Sequence, residues 1–271
     1  MTDRSGVVEA IEFLARSTNR VQLLETLRDR DQATRDDLRS AVSASRTTVS
    51  RNLDALVERG WIQQGDGTYA LAPGVEDVLD DFLELEETVG ALDHLQPFLE
   101  WTDRDAFDVD LSLLRDATVV VPEPGNPWAM VNAHVNRVRE STDDRVAIPV
   151  IGLHAYEAVH EKFVNGDARG EIVVSEHVAE TMTTDPDYVP LTRELLEVEA
   201  LELYRTTDDV PFYLGVLDDV VQVGVDEAGE PRALLETSND AVREWAHERL
   251  GALRSRAEPV TVDEIRESRD E

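Results

Sequence analysis

The sequence predicts an α+β chain: a helical N-terminal module ending in two short strands, a long linker helix, and a C-terminal α/β domain with an antiparallel meander. Three observations carry this. Apolar residues recur at helical spacing through the first sixty positions and again over 75–99. Compact β-branched runs alternate with helical patterns between 117 and 174, and turn-separated strands follow one another from 211 to 236. A length of 271 residues allows two modest domains, each with its own core.

Composition narrows the function. Cysteine is absent, which excludes a disulfide scaffold, a thiolate metal site and a cysteine nucleophile, and fits a reducing compartment. No run approaches the ~18 apolar residues of a membrane span, and the first thirty positions carry no signal-peptide pattern. A soluble cytoplasmic protein without membrane contact is expected. The formal net charge is −32, from 58 acidic and 26 basic residues, which ordinarily argues against nucleic acid. Of the basic residues, 25 are Arg and one, Lys162, is Lys. Dense carboxylates with lysine nearly eliminated look like adaptation to molar intracellular salt, as in the halophilic archaea. The charge is also uneven. Residues 1–70 hold ten Arg against eleven Asp and Glu, so −31 falls on the remainder. That first segment is where a polyanion could bind.

Along the first seventy residues, Val7, Ile11, Leu14 and Ala15 recur at helical spacing, and Val21, Leu24 and Leu27 repeat the pattern after the break Ser17-Thr18-Asn19. Thr34-Arg35-Asp36-Asp37 is a capping-box pattern opening a short helix with Leu38 and Val42. Ser45 is an N-cap for a further helix in which Val49, Leu53, Leu56 and Val57 form one stripe, stopped by Gly60. Residues 61–64 and 68–71 then read as strands around Gly65-Asp66-Gly67. Three helices followed by a β-hairpin make a winged helix-turn-helix, assigned to residues 1–73. The stretches Leu38-Arg39-Ser40-Ala41-Val42, Ser45-Arg46-Thr47-Thr48-Val49-Ser50-Arg51-Asn52-Leu53 and Leu56-Val57-Glu58-Arg59-Gly60-Trp61-Ile62 resemble the winged-helix regulators of bacteria and archaea.

Double-stranded DNA is the partner this implies. With Val49, Leu53 and Leu56 inward, Thr47, Thr48 and Arg51 project near the start of the recognition helix, with Ser50 on its flank. Arg51 can contact guanine bidentately and a threonine methyl can meet a thymine methyl. Ser45, Arg46 and the free amides of the first turn suit phosphate. Thr34, Arg35 and Arg39 would touch the flanking backbone, and Gln63, Gln64 and Thr68 would bring the wing to phosphate or the minor groove. The competing reading is a winged helix that binds protein.

Residues 74–103 form the expected linker or dimerisation segment. Val78, Phe82, Leu85, Val89, Leu92 and Leu99 follow the 3-4 rhythm of a coiled-coil seam, which would make a homodimer on a pseudo-palindromic site. The alternative is a helix packed on its own chain. Pro97, Trp101 and Thr102-Asp103 close the segment.

Residues 104–256 read as the α/β domain. Strands are expected at 117–121, 146–151 and 172–174, helices around Trp128, Val131, Val135 and Val138 and around Leu153, Tyr156, Val159 and Phe163. A meander over 211–217, 220–225 and 232–236 precedes a helix with Val242, Trp245 and Leu253; 257–271 reads as a polar, frayed tail. Val119-Val120-Val121, Pro211-Phe212-Tyr213-Leu214-Gly215-Val216, Asp218-Asp219-Val220-Val221 and the stretch around Ala241 and Trp245 resemble archaeal regulators that join a winged helix to the middle domain of a methanogenesis regulator. The resemblance implies a domain that senses a small-molecule effector or assembles the dimer.

One string bears on catalysis. His160-Glu161-Lys162 with Asp167 fits the H-x-K-x4-D spacing of phospholipase-D-type phosphodiesterases. His160 and Lys162 fall where side chains two apart on a helix diverge, and the Gly-Ser and Asn that follow in that family are missing. His134, His154, His160 and His177 lack metal-ligand spacing, and no Walker A or GxGxxG pattern occurs, so no metal, cofactor or enzyme activity is expected. The turn after Val121, with Pro127 as the first helical residue, is the place where Pro122, Asn126 and Trp128 would line a ligand crevice at a strand's carboxyl end.

Overall fold

Polar breaks and glycines cut the first hundred residues into the helices that apolar spacing predicts. The computed structural model describes residues 4–265, and its contacts separate Met1–Glu87 from Thr88–Glu271. The fold is α+β. In the first unit, α1 (Arg4–Ala15) and α2 (Thr18–Arg30) precede a two-residue strand β1 (Ala33–Thr34), α3 (Arg35–Ala41), α4 (Arg46–Glu58) and the hairpin β2 (Ile62–Gly65) and β3 (Thr68–Leu71). The strands form a sheet in the order β1-β3-β2. Asp66 and Gly67 both take positive φ, 50° and 82°, as a two-residue hairpin turn of the I′ kind requires. Leu23, Leu24, Leu27, Leu38, Val49, Leu53, Leu56, Ile62 and Tyr69 close one core. Of α1, Leu14 alone is buried; Val7 and Ile11, which share its helical spacing, stand in solvent.

Helix α5 (Val75–Leu99) is the helix expected over 74–103, and the unit boundary falls inside it. Pro97 does not end it. A proline within the last turn removes one hydrogen bond, and the helix continues two residues further. The seam is corrected at two positions. Phe82 joins Val75 and Leu79 in the first core, and Leu99 packs beside Ala91, Leu95 and Phe98 in the second. Val78, Leu85, Val89 and Leu92 remain 46–50% exposed on the same helix.

The second unit is built on an eight-stranded sheet. Its elements are β4 (Thr118–Val120), α6 (Ala129–Glu140), β5 (Asp143–Ile148), α7 (Leu153–Asn165), β6 (Arg169–Ser175), α8 (Glu176–Thr184), α9 (Val189–Leu195), β7 (Leu201–Thr206), β8 (Tyr213–Leu217), β9 (Val220–Glu227), β10 (Glu230–Thr237), α10 (Asp240–Arg254) and β11 (Glu258–Pro259). The order is β11-β7-β6-β5-β8-β9-β10-β4, with β5, β6 and β7 parallel and the rest antiparallel. One face carries Ala147, Val173, Leu214, Val216, Val223 and Leu235 beneath α10; the other carries Val146, Ile172, Val174, Leu203 and Leu217 beneath α7, α8 and α9. The expected tail is corrected for 257–265: β11 pairs with β7, and Val260 and Ile265 are buried, so apolar side chains pin the segment. Residues 266–271 lie outside the described residues.

A polar cluster sits between the sheet and its helices. Lys162 on α7 donates to Asp144 Oδ2 and, at 2.9 Å, to Ser141 Oγ, with both charged side chains almost wholly buried. Asp144 Oδ1 has no partner, and burial pushes its carboxyl up against the pull of Lys162. Removing one member of a buried pair strands the other charge. Lys162→Met should therefore cost about 3–5 kcal/mol of unfolding free energy, and Lys162→Met with Asp144→Leu much less. Denaturant unfolding of the three proteins measures this; equal losses in the single and double variants would show that the charges are not coupled.

Candidate nucleic-acid interface

The interface is organised by the rotation and the two ends of α4. Val49, Asn52, Leu53 and Leu56 are buried, which turns Arg46, Thr47, Arg51, Asp54 and Glu58 to solvent and leaves Thr48 and Ser50 half-buried on the flanks. Ser45 caps the N-terminus: its hydroxyl accepts from the Thr48 amide at 3.2 Å and shares a 2.9 Å bond with the Thr48 hydroxyl. At the other end Gly60, at φ 72°, lets Trp61 donate to the Leu56 carbonyl (3.0 Å) and Gly60 to that of Val57 (2.9 Å), a Schellman closure.

The remaining sequence-selected residues divide into free and engaged groups. Thr47 and Arg51 project from the first two turns, and no carboxylate meets Arg46 or Arg51 among the described residues. Gln63 and Gln64 are exposed on β2, facing Ala70 and Tyr69 in register. Thr68 gives its hydroxyl proton to the Gly65 carbonyl at 2.9 Å. Thr34 forms the capping box with Asp37, which lowers that carboxyl, and Arg39 pairs with Asp36 at 3.3 Å. Arg35 differs most from the expectation of a free phosphate contact. Its Nη2 and Nε donate to the buried Tyr69 hydroxyl at 2.6 and 3.1 Å, and its Nη1 to Ser50 at 3.3 Å, with Asp54 3.8 Å away. Arg35 thus brackets the start of α3, the flank of α4 and the hairpin.

Two arginines near α4 escaped the sequence reading. Arg20 on α2 and Arg59 at the end of α4 both stack on Phe13. Their signal was present but negative: neither has an Asp or Glu three or four positions away in either direction.

In the second unit, the H-x-K-x4-D string is not brought together. His160 Nε2 lies 2.8 Å from Glu194, Lys162 turns to Asp144 and Ser141, and Asp167 is exposed. His134 instead donates from Nδ1 to Gln222 Oε1 at 2.8 Å, because the Gln222 amide nitrogen is committed to Glu236; burial lowers this imidazole. The described residues contain no cluster of His, Asp or Glu arranged to hold a metal. The ligand crevice is corrected as well. Pro122, Asn126 and Trp128 are exposed on a turn after β4, an antiparallel edge strand beside β10, so the opening at a parallel strand's carboxyl end does not arise there. Ala129, not Pro127, is the first residue of α6, and Trp128 occupies the N-cap position before it. A depression of about 410 Å³ in this unit lies at the amino ends of β5, β6 and β7 and is lined by charged side chains including Asp143, Arg169, Glu171 and Glu202.

Ser45→Ala should cost about 1 kcal/mol of stability, and Ser45→Asp should restore most of it, because aspartate is an equally good cap. Thermal unfolding reads this; an unchanged midpoint in Ser45→Ala would show that the hydroxyl does not cap.

Two family models match the chain. Residues 8–94 match the HVO_A0261 N-terminal domain, and residues 127–256 match the middle domain of methanogenesis regulatory protein FilR1. No curated protein matches. Among solved structures, the archaeal chromatin protein TrmBL2 is similar at 13% identity with a TM-score of 0.40, covering 95% of this chain and 100% of that one. NucT from Helicobacter pylori (12%, TM-score 0.43) and the phospholipase D family member Nuc from Salmonella typhimurium (14%, TM-score 0.41) each cover 53% of this chain and 98% of their own. The chain therefore joins a segment similar to the HVO_A0261 N-terminal domain, holding α2, α3, α4 and the hairpin, to one similar to the FilR1 middle domain, holding the strands β5–β10.

Proposed function

We propose that the chain is a sequence-specific DNA-binding transcriptional regulator, acting as a homodimer in a salt-rich cytoplasm. The observation that carries this is the first two turns of α4: capped, locked in rotation by a buried stripe, and presenting Thr47 and Arg51 with no carboxylate against either among the described residues. A helix of this kind enters the major groove by its N-terminal end. Arg51 then reads guanine O6 and N7, and Thr47 offers its methyl to thymine. Arg46 and the first-turn amides take phosphate, while Gln63, Gln64 and Thr68 bring the hairpin to the backbone or minor groove. Asp54 and Glu58, exposed further along α4, keep its second half away from the bases. The match of residues 127–256 to part of a regulatory protein supports the regulatory half of the reading.

The dimer is proposed through α5. Val78, Leu85, Val89 and Leu92 fall at i, i+7, i+11 and i+14 and stay about half exposed, while the other apolar positions of this helix fill the cores of its own chain. A second copy of this stripe would cover them. Depleted lysine and dense carboxylates suit the high salt, which screens the repulsion between two acidic copies.

Binding by fluorescence anisotropy tests the first claim. On a duplex selected from a randomised pool, Arg51→Ala should cost about 1–3 kcal/mol and relax base preference. Equal losses on selected and mixed-sequence duplexes would remove the base-reading role. Sedimentation tests the second: Leu85→Glu with Leu92→Glu should turn a dimer into a monomer, and a monomeric parent would end the proposal.

A further inference from the structure

Resting on the DNA reading, we propose that Arg20 and Arg59 form a phosphate clamp for the duplex backbone along one flank of α4, beside but distinct from the base-reading Arg51 and separate from the wing. The first ground is charge pairing. In the first unit Arg16, Arg28, Arg30, Arg35 and Arg39 each have a carboxylate within 4 Å, at Glu12, Asp80, Asp37, Asp54 and Asp36. Arg4, Arg20, Arg46, Arg51 and Arg59 have none among the described residues, in a chain whose acidic side chains outnumber basic ones by 58 to 26, and of these Arg20 and Arg59 share one scaffold.

The second ground is that these cations are held together rather than scattered. The Arg20 and Arg59 guanidinium carbons lie 3.9 and 4.2 Å from the centre of the Phe13 ring, which Trp61 meets edge-on at 5.9 Å. Arg20 donates to the Phe13 carbonyl and, at 3.3 Å, to Asn52 Oδ1, a side chain buried on α4. Burial, then the charge of Arg59, then that of Arg51 lower the Arg20 pKa. Two like charges held on one ring are unfavourable until an anion joins them. The cluster offers donors and no free acceptor, since Asn52 Nδ2 is also buried without a partner. Its ligand must bring acceptor oxygens and negative charge, as a phosphodiester does.

The third ground is placement. Thr48, Arg51, Ala55 and Arg59 follow one another at i, i+3, i+7 and i+11, a ridge of about 16 Å along the helix. Beside it, Asp54 and Glu58 repel phosphate, so an approach to DNA over the second half of α4 needs compensating cations on this flank. Arg20 and Arg59 supply them.

The test uses the full chain and a labelled mixed-sequence duplex of about 30 base pairs, titrated over the KCl range in which circular dichroism shows the fold intact. Arg59→Gln should weaken binding roughly three- to tenfold on any duplex and lower the slope of log affinity against log salt by about one, whereas Arg59→Lys keeps the slope. Arg20→Gln should do the same, and Arg193→Gln, on α9, should change nothing. If the parent binds duplex and both glutamine variants keep its affinity and slope, the clamp is refuted and the DNA reading stands. If the parent binds no duplex at any KCl concentration, both fall together.

Discussion

The rotation of α4 about its own axis is the constraint on which the candidate interface depends. Val49, Leu53 and Leu56 bury against Leu38 and Ile62, and rotating the helix by one residue position, about 100°, would expose part of that stripe. The cost of exposing even two such side chains, on the order of 3 kcal/mol or more, exceeds what any single solvent-facing contact returns. Thr47 and Arg51 therefore face outward for reasons unrelated to a ligand. Ser45 and Gly60 fix where the helix starts and stops, so both the angle and the length of the presented surface follow from packing and capping.

Electrostatics then acts on a surface already placed. Within the first unit the arginines fall into two groups with different neighbours. Those on α3 and the outer side of α2 are neutralised by carboxylates one to four positions away or across a helix pair, and contribute little to stability at the surface. Arg20 and Arg59, beside α4, are organised instead by an aromatic ring and, for Arg20, an amide and a backbone carbonyl, none of which carries charge. A neutral scaffold holds a guanidinium in place without consuming its charge. Arg35 sits between the two cases, tied to the Tyr69 hydroxyl, and its rigidity helps join hairpin and helix.

What was legible in the sequence was local. The Thr34-to-Asp37 capping box, the Ser45 cap, the Gly60 stop and the Asp66-Gly67 turn each depend on residues within a few positions, and the structure has each of them. The meander was legible because turn residues separate its strands. Strand β7 escaped because Leu201-Glu202-Leu203-Tyr204-Arg205 mixes charge into a strand next to the sheet edge, where Arg254 stacks over Tyr204. The partner of Arg35 lies 34 positions away, beyond the reach of local spacing. Phe82 and Leu85 show a different limit. Heptad spacing says that two residues share one side of a helix, but not whether their own chain or another covers them; α5 serves two cores in succession, and the same rhythm runs through both uses.

The one lysine bears on how the composition should be understood. Lys162 is 6% exposed, its ammonium divided between a carboxylate and a hydroxyl. An arginine there would bring a planar fork with five N–H groups to a site whose acceptors are one carboxylate and one hydroxyl, and would leave donors unsatisfied away from water. Lysine thus persists where geometry demands a compact cation and solvent is absent, and is missing where side chains meet solvent. Its loss elsewhere is a property of the surface rather than of the chain as a whole. On that surface arginine is the cation that remains, and it is also the side chain that stacks on Phe13, forks towards guanine and grips phosphate through paired N–H groups. A composition that suits concentrated salt leaves intact the chemistry that the proposed duplex binding needs, so the acidity of the chain is compatible with the interface proposed on α4.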